Sequence, residues 1–230
     1  MSKFPLGDRG SNPTSSHQIK FVEVNSKEKR DLFVEITKTY HKYKPKSSYV
    51  GRQLNYIIYL NDEPIGTIGI GSPILLLTTR DEYIGWGKGK SLRKDLKNPN
   101  LKKIANNWRF CLKPDLPKNI GSQVLSILVH KAKNEWVKKY NGERLVLLET
   151  IVAPPFNGTV YLAAGWVYIG ETSGFESNHE NQIEKDEFGR NKFKGKMAIA
   201  IYTGVKKKIF IKPLCSNWKQ ILMSENIPHQ

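Results

Sequence analysis

The sequence predicts a single α/β domain, a mixed sheet flanked by helices, and three features point there. Strand-like runs alternate with helical stripes along the whole chain. The run RLVLLETIV at 144–152 is apolar almost throughout, as a strand buried on both faces must be. No internal repeat breaks the order, and 230 residues suffice for one large domain with a sizeable core.

The elements follow in order. Residues 1–17 are polar and turn-rich and read as a flexible arm. Ile19–Val24 alternates as a short strand. Asn25 with Glu28 three residues on gives a capping-box signal, and Phe33, Ile36, Tyr40 and Tyr43 form the apolar stripe of the helix behind it. QLNYIIYL at 53–60 and IGTIGIG at 65–71 are strands joined by Asn61, Asp62, Glu63 and Pro64, which is hairpin chemistry. A basic, irregular stretch leads to the strand NNWRFCL at 106–112. The helix from Ile120 to about Tyr140 sets Val124, Leu128, Ala132 and Trp136 on one face. After 144–152 come a short helix at 158–165, the strand WVYIGE, a polar surface loop at 174–196, strands at 197–203 and 208–214, and an amphipathic turn near Trp218 and Ile221. The domain is expected to span 18–230.

Thirty-seven basic residues against 21 acidic ones leave a net charge of +16. A field of that size attracts polyanions, so the expected partner is nucleic acid, DNA first. The Lys-rich composition is also what a biased genome would produce. Residues 86–118 alone carry ten Lys and Arg, including Lys88, Lys90, Arg93 and Lys94, between Trp86 and Trp108 and onwards. Such loops contact phosphates, and nearby aromatics stack on unpaired bases. Two distant cysteines, no leader-like segment and no long apolar run give the expectation of a cytoplasmic protein without a membrane contact. The five histidines are scattered, so no metal site is expected.

Several polar residues stand where apolar ones would be cheaper. Arg80 and Asp81 follow ILLL; they read either as a phosphate-positioning pair or as an ion pair at a strand end. Asp81 is also a possible base. Strand alternation sends Asn107 and Arg109 to one face and Asn106 and Trp108 to the other, where they line a cleft or complete a buried network. Glu149 and Thr150 end the most apolar run. A carboxylate there is expected to be partly desolvated, which favours general-base work and makes Glu149 the first choice for a general base; the alternative is a Glu bonded to nearby backbone.

Two motifs resemble the GNAT acetyltransferase-like family. Lys118-Asn119-Ile120-Gly121-Ser122 stands between a strand and a helix, where that family holds the coenzyme A pyrophosphate on helix N–H groups. Tyr161-x-x-x-Gly165-Trp166-x-x-x-Gly170 is similar to the family's segment whose tyrosine protonates the departing thiolate. The resemblance implies acetyl-CoA or another acyl-CoA as cofactor, with Lys118, Ile120, Gly121 and Ser122 binding it and Tyr161 as the acid.

A closer resemblance runs over about residues 40–215. Tyr40-His41, GRQLNYIIYLNDEPIGTIGIGSP, Arg80-Asp81-x-x-Ile84-Gly85-Trp86, Asn106-Asn107-x-Arg109-Phe110, Glu149-Thr150, Gly158-Thr159-x-Tyr161 and Gly170-x-Thr172-x-Gly174 together are similar to the DruA family of the Druantia anti-phage defence system, also found beside transposases. It implies a defence or mobile-element context and adds Thr159 to the candidate substrate-contacting residues. A weaker likeness is to Mom-type proteins that modify adenine in DNA. Two functions are therefore expected to compete: an acyl-CoA-dependent transferase acting on nucleic acid, and a DNA-binding or restriction-like nuclease component without acyl transfer.

Overall fold

A computed structural model of the chain describes residues 18–42, 51–87, 98–178, 183–185, 191–193 and 199–224. The arm at 1–17, Tyr43, and Lys88, Lys90, Arg93 and Lys94 lie outside the described residues.

The first half of the chain forms β1 (Ile19–Glu23), α1 (Lys27–Tyr40), β2 (Gln53–Leu60), β3 (Glu63–Gly71), α2 (Thr78–Ile84) and, after a 3₁₀ turn at Pro99–Lys103, β4 (Ile104–Leu112). The second half forms α3 (Ile120–Lys139), β5 (Leu147–Val152), α4 (Thr159–Ala163), β6 (Val167–Glu171), β7 (Phe175–Asn178), β8 (Ile183–Lys185), β9 (Asn191–Phe193), β10 (Ile199–Tyr202), β11 (Lys208–Pro213) and α5 (Trp218–Met223). Seven strands make one sheet in the order β1-β2-β3-β4-β5-β11-β6. Every neighbouring pair is antiparallel except β4 and β5, which are parallel. A parallel pair needs a crossover, and α3 supplies it. This is the mixed sheet flanked by helices expected from the sequence.

The helical stripe of α3 buries Val124, Leu128, Ala132 and Trp136 against Leu54, Tyr56, Ile58, Ile68 and Leu148 on one sheet face, where α4 also packs. The other face is split. Phe33 and Ile36 of α1 cover Ile57, while Ile84 of α2 and Leu222 of α5 cover Ile104, Leu147 and Ile211. Between those two clusters the face carries polar residues.

Four local expectations change. The hairpin turn is only Asn61-Asp62, both at positive φ (49° and 65°), and Glu63 and Pro64 already belong to β3. The cap of α1 is Ser26, which accepts from Lys29 N, one residue after the expected Asn25. Arg80 and Asp81 sit on a helix, α2, rather than at a strand end. Its start carries no capping side chain and so no start signal to read; Gly85 at φ 107° ends it. The stretch 174–196 is not simply a loop: β7 pairs with β10 and β8 with β9 outside the main sheet.

Candidate active site at the parting of two strands

The β4–β5 ladder joins Ile104 to Leu147, Ala105 to Leu148 and Asn106 to Glu149, and stops there. β4 runs on to Leu112 against β3, and β5 runs on to Val152 against β11, so the two strands part and leave a notch. At the vertex a side chain takes over from the ladder: the Thr150 hydroxyl donates to the Asn107 carbonyl at 3.0 Å. Because successive strand residues face opposite ways, Asn106 and Glu149 look toward α2, whereas Asn107 and Thr150 look toward α4.

On the α4 side the Tyr161 hydroxyl donates to Asn107 Oδ1 at 2.8 Å and lies 3.5 Å from Thr150 Oγ1. The ring is held by Phe210 (stacked, 5.8 Å), Trp166 and Phe110. Burial pushes the phenol above the ordinary tyrosine range, which the Thr150 contact only partly offsets. Asn107 gives its amide protons to the Gly69 and Arg109 carbonyls, both at 2.8 Å. Its amide is thus fully used, and Asn107 completes a buried network. The chain can turn into α4 only because Gly158 has φ 76° and no Cβ, which would meet Phe210 Cζ at 2.3 Å. Thr159, next to it, is exposed.

On the α2 side Arg80, 1% exposed, joins two carboxylates. It bonds Asp81 Oδ1 through Nε at 2.7 Å, and Glu149 Oε2 and the Ile74 carbonyl through Nη1 at 2.8 and 2.9 Å. Glu149, at 0% exposure, accepts the Ile74 N–H with its other oxygen at 2.7 Å. Burial works against the Arg80 charge, but Glu149 and Asp81 outweigh it and raise its pKa. Trp86 is tied by its indole N–H to the Leu222 carbonyl at 2.9 Å, with the Arg80 guanidinium 5.9 Å from its ring.

Between Glu149 and Gly71 across the sheet stands Asn106, 7% exposed, whose Oδ1 is buried without a hydrogen-bond partner. Here the expected alternation fails. The β3–β4 register shifts so that Ile70 faces Asn107 and Gly69 faces Arg109, leaving Trp108 as the extra residue of a bulge. Trp108 packs beside Phe33 of α1, the Arg109 guanidinium lies 5.0 Å from the Trp108 ring, and Cys111 bonds Thr67, which bonds Thr37 of α1. Phe110, by contrast, meets Tyr161 on the other side. Arg109 therefore shares a face with Trp108 and Asn106 and is parted from Asn107. Its Nε is buried without a partner, and burial lowers its pKa, with Cys111 opposing weakly.

The start of α3 borders the α4 side. Asn119, at φ 71°, precedes the helix without capping it by its side chain. Lys118 is exposed and Ile120 is buried in the core. A Cβ on Gly121 would meet Val160 Cγ2 of α4 at 2.7 Å, so the glycine permits the close approach of α3 and α4. The Ser122 hydroxyl donates to the Asn119 carbonyl at 3.0 Å. The sequence places Asn106 in a cleft or a buried network and gives Thr150 no part beyond standing next to Glu149; a polar pair inside each of two central strands is the available signal.

A profile of the family described as Druantia protein DruA matches residues 8–204. The chain belongs to the DruA family. No curated protein matches this family member. Among solved structures it aligns with the ribosomal-protein-S18-alanine N-acetyltransferase from Escherichia coli (TM-score 0.45, 12% identity, 93% of this chain and 99% of that one). It also aligns with spermidine N-acetyltransferase from Vibrio cholerae in complex with CoA and spermine (TM-score 0.46, 9% identity, 86% and 96%). A third is FeeM, an N-acyl amino acid synthase from uncultured soil microbes (TM-score 0.47, 11% identity, 89% and 94%). Among the described residues no helix is long and apolar enough to cross a membrane.

Proposed function

We propose that this DruA-family chain is an acyl-CoA-dependent transferase whose acceptor is carried on nucleic acid, in a phage-defence or mobile-element setting. The observation that carries the reading is the notch between β4 and β5, with a buried tyrosine hydroxyl at its vertex. Past the last paired residues, both strand edges face the notch without a ladder between them, and the amide-bearing arm of coenzyme A is a chain that such edges accommodate. The first-turn N–H groups of Gly121 and Ser122, which have no intrahelical acceptor, and exposed Lys118 would hold its pyrophosphate. Bound there, coenzyme A supplies an activated acyl thioester. Ile120 contributes its backbone only, since its side chain is core.

Tyr161 stays protonated at neutral pH and is the acid in this reading. Glu149 and Asp81 are the carboxylates nearest the vertex. Both are engaged by Arg80, so in this reading Glu149 and Asp81 fix Arg80 and the local charge rather than act as free bases. The same arrangement weighs against a metal-dependent nuclease. The two carboxylates it would need already share a guanidinium, which a metal would have to displace. The net charge of +16 and the family's defence context support a nucleic-acid partner.

Calorimetric titration with acetyl-CoA tests the proposal, with Ser122→Glu as the control. Glutamate suits a helix's first turn, so that variant folds while placing negative charge where the pyrophosphate would lie. Saturable binding that Ser122→Glu abolishes is the expected result. Folded protein that binds no acetyl-CoA at low salt overturns the reading and leaves a nucleic-acid-binding protein. Gly121→Glu would be a poor control, because any side chain there strikes Val160.

A further inference from the structure

We propose that Tyr83 of α2 and Trp218 of α5 form a platform on which an unpaired base of a single-stranded nucleic acid stacks, with Lys219 taking the adjoining phosphate. This surface deepens the nucleic-acid half of the reading above and rests on it for its purpose, while its chemistry stands on contacts outside the notch.

The two rings lie 6.3 Å apart, centroid to centroid, with 11° between their planes. The Lys219 amine sits 4.3 Å from the centre of the Tyr83 ring and 5.5 Å from that of Trp218. All three reach solvent: Tyr83 is 38% exposed, Lys219 is exposed and Trp218 is half-buried. A cavity of about 410 Å³, lined by Ser216, Asn217, Lys219 and Gln220, opens at the same end of α5. The other tryptophans are engaged elsewhere. Trp136 and Trp166 are core, Trp86 gives its indole N–H to the Leu222 carbonyl, and Trp108 lies against Phe33 and Arg109. Nor does α5 depend on the ring pair to stay beside α2. Ile84 and Leu222 share one core cluster, and the Trp86–Leu222 bond ties the chain after α2 to α5.

Charge picks the occupant. The chain carries a net charge of +16, and residues 88–97 alone hold five Lys and Arg against Asp95. The residues that flank this run, Trp86 and Asn100, both bond the Leu222 carbonyl, at 2.9 and 3.0 Å, so the basic run leaves and rejoins the described fold beside α5. Glu82, exposed next to Tyr83, is a single charge of the other sign. A ligand suited to this surface is anionic and brings a flat ring of its own, and a nucleotide chain has both. A cationic amine would meet Lys219 already on the rings. An exposed ammonium–ring contact is weaker than a base stacked on the same ring, so a base displaces the Lys219 amine, which stays within reach of the phosphate. Duplex bases are stacked on one another, and an unpaired base has a face to offer.

The test measures anisotropy of labelled oligo(dT), and of an abasic strand with the same number of phosphates, on the full chain with no coenzyme A present. Phosphate contacts are common to both strands, so the ratio of the two affinities reads the base alone. The wild type is expected to hold oligo(dT) about tenfold more tightly than the abasic strand, as one stacked base supplies. Tyr83→Leu and Trp218→Leu are each expected to bring that ratio to about one, while Lys219→Met weakens both strands alike. Melting curves check folding, and Tyr83→Leu, at an exposed position, decides the matter if Trp218→Leu unfolds. Equal wild-type affinities, a ratio that survives Tyr83→Leu, or no binding of either strand at low salt would overturn the proposal. Loss of acetyl-CoA binding with the base preference intact would sink only the transferase reading. Acetyl-CoA binding without a base preference would sink only this one.

Discussion

Replacing Arg80 with methionine would take the shared cation from two buried carboxylates. Asp81 is 4% exposed and Glu149 0%, and Arg80 is the cation that touches both. Removing one partner of a buried ion pair costs about 3–5 kcal/mol; with two acceptors left behind, the upper half of that range applies, about 4–5 kcal/mol. For a domain of this size each kcal/mol moves Tm by about 2–4 °C, so the variant should melt roughly 8–20 °C below the wild type. Circular-dichroism melts at neutral pH read this directly. The deficit should shrink as pH falls. A buried carboxylate without its cation has its pKa raised above the unfolded value, so acid favours the folded form of the variant. The companion Arg80→Met/Asp81→Asn/Glu149→Leu, which removes the charges together, should recover much of the loss. A single variant melting within about 3 °C of wild type, or a triple variant no more stable than the single one, would refute the view that these three residues form one electrostatic unit.

Three further outcomes follow from the same contacts. Tyr161→Phe leaves Asn107 Oδ1 without its donor and should cost about 1–3 kcal/mol in urea unfolding; its affinity for acetyl-CoA should hold while acyl transfer falls. Gly158→Ala should cost more than about 2 kcal/mol, because it combines a left-handed φ with a Cβ 2.3 Å from Phe210 Cζ; normal expression and melting would contradict the assigned turn. The acid limb of the stability curve should flatten in Lys131→Met and Arg52→Met. Burial tends to raise the Glu135 pKa, but bonds from Lys131 and Tyr56 outweigh it, and Glu143 is lowered first by Arg52. Carboxylates depressed in the folded state contribute stability above the ordinary carboxylate range and lose it as pH falls through their folded pKa.

Long, periodic elements were legible in the sequence. The stripe Val124, Leu128, Ala132 and Trp136 is the buried face of α3, and the apolar run ending in Val152 is central strand β5. What escaped has physical reasons. The α2 helix starts without a capping side chain, so neither sequence reading of Arg80 and Asp81, a phosphate-positioning pair or an ion pair at a strand end, includes a helix. Arg109 was given to the wrong face, because a bulge belongs to the pairing of two strands and leaves no trace in one of them. The burial of Glu149 could be read from its apolar neighbours, but the partner that engages it lies far back in the chain at Arg80. Gly121 marked the start of α3 correctly, yet what demands a glycine there is Val160, on a helix the motif does not include.

The alternation of Glu149 and Thr150 at the vertex turns two neighbouring residues to opposite faces of the sheet, one toward α2 and one toward α4. A reagent delivered from the α4 side and one delivered from the α2 side would meet there without crossing each other's path. For a polymer this matters. In the proposed transferase, a long acceptor on the α1–α2 surface would not have to be threaded past coenzyme A on the α4 side, and either could depart while the other stayed. In that reading, a block on one face would leave exchange on the other intact.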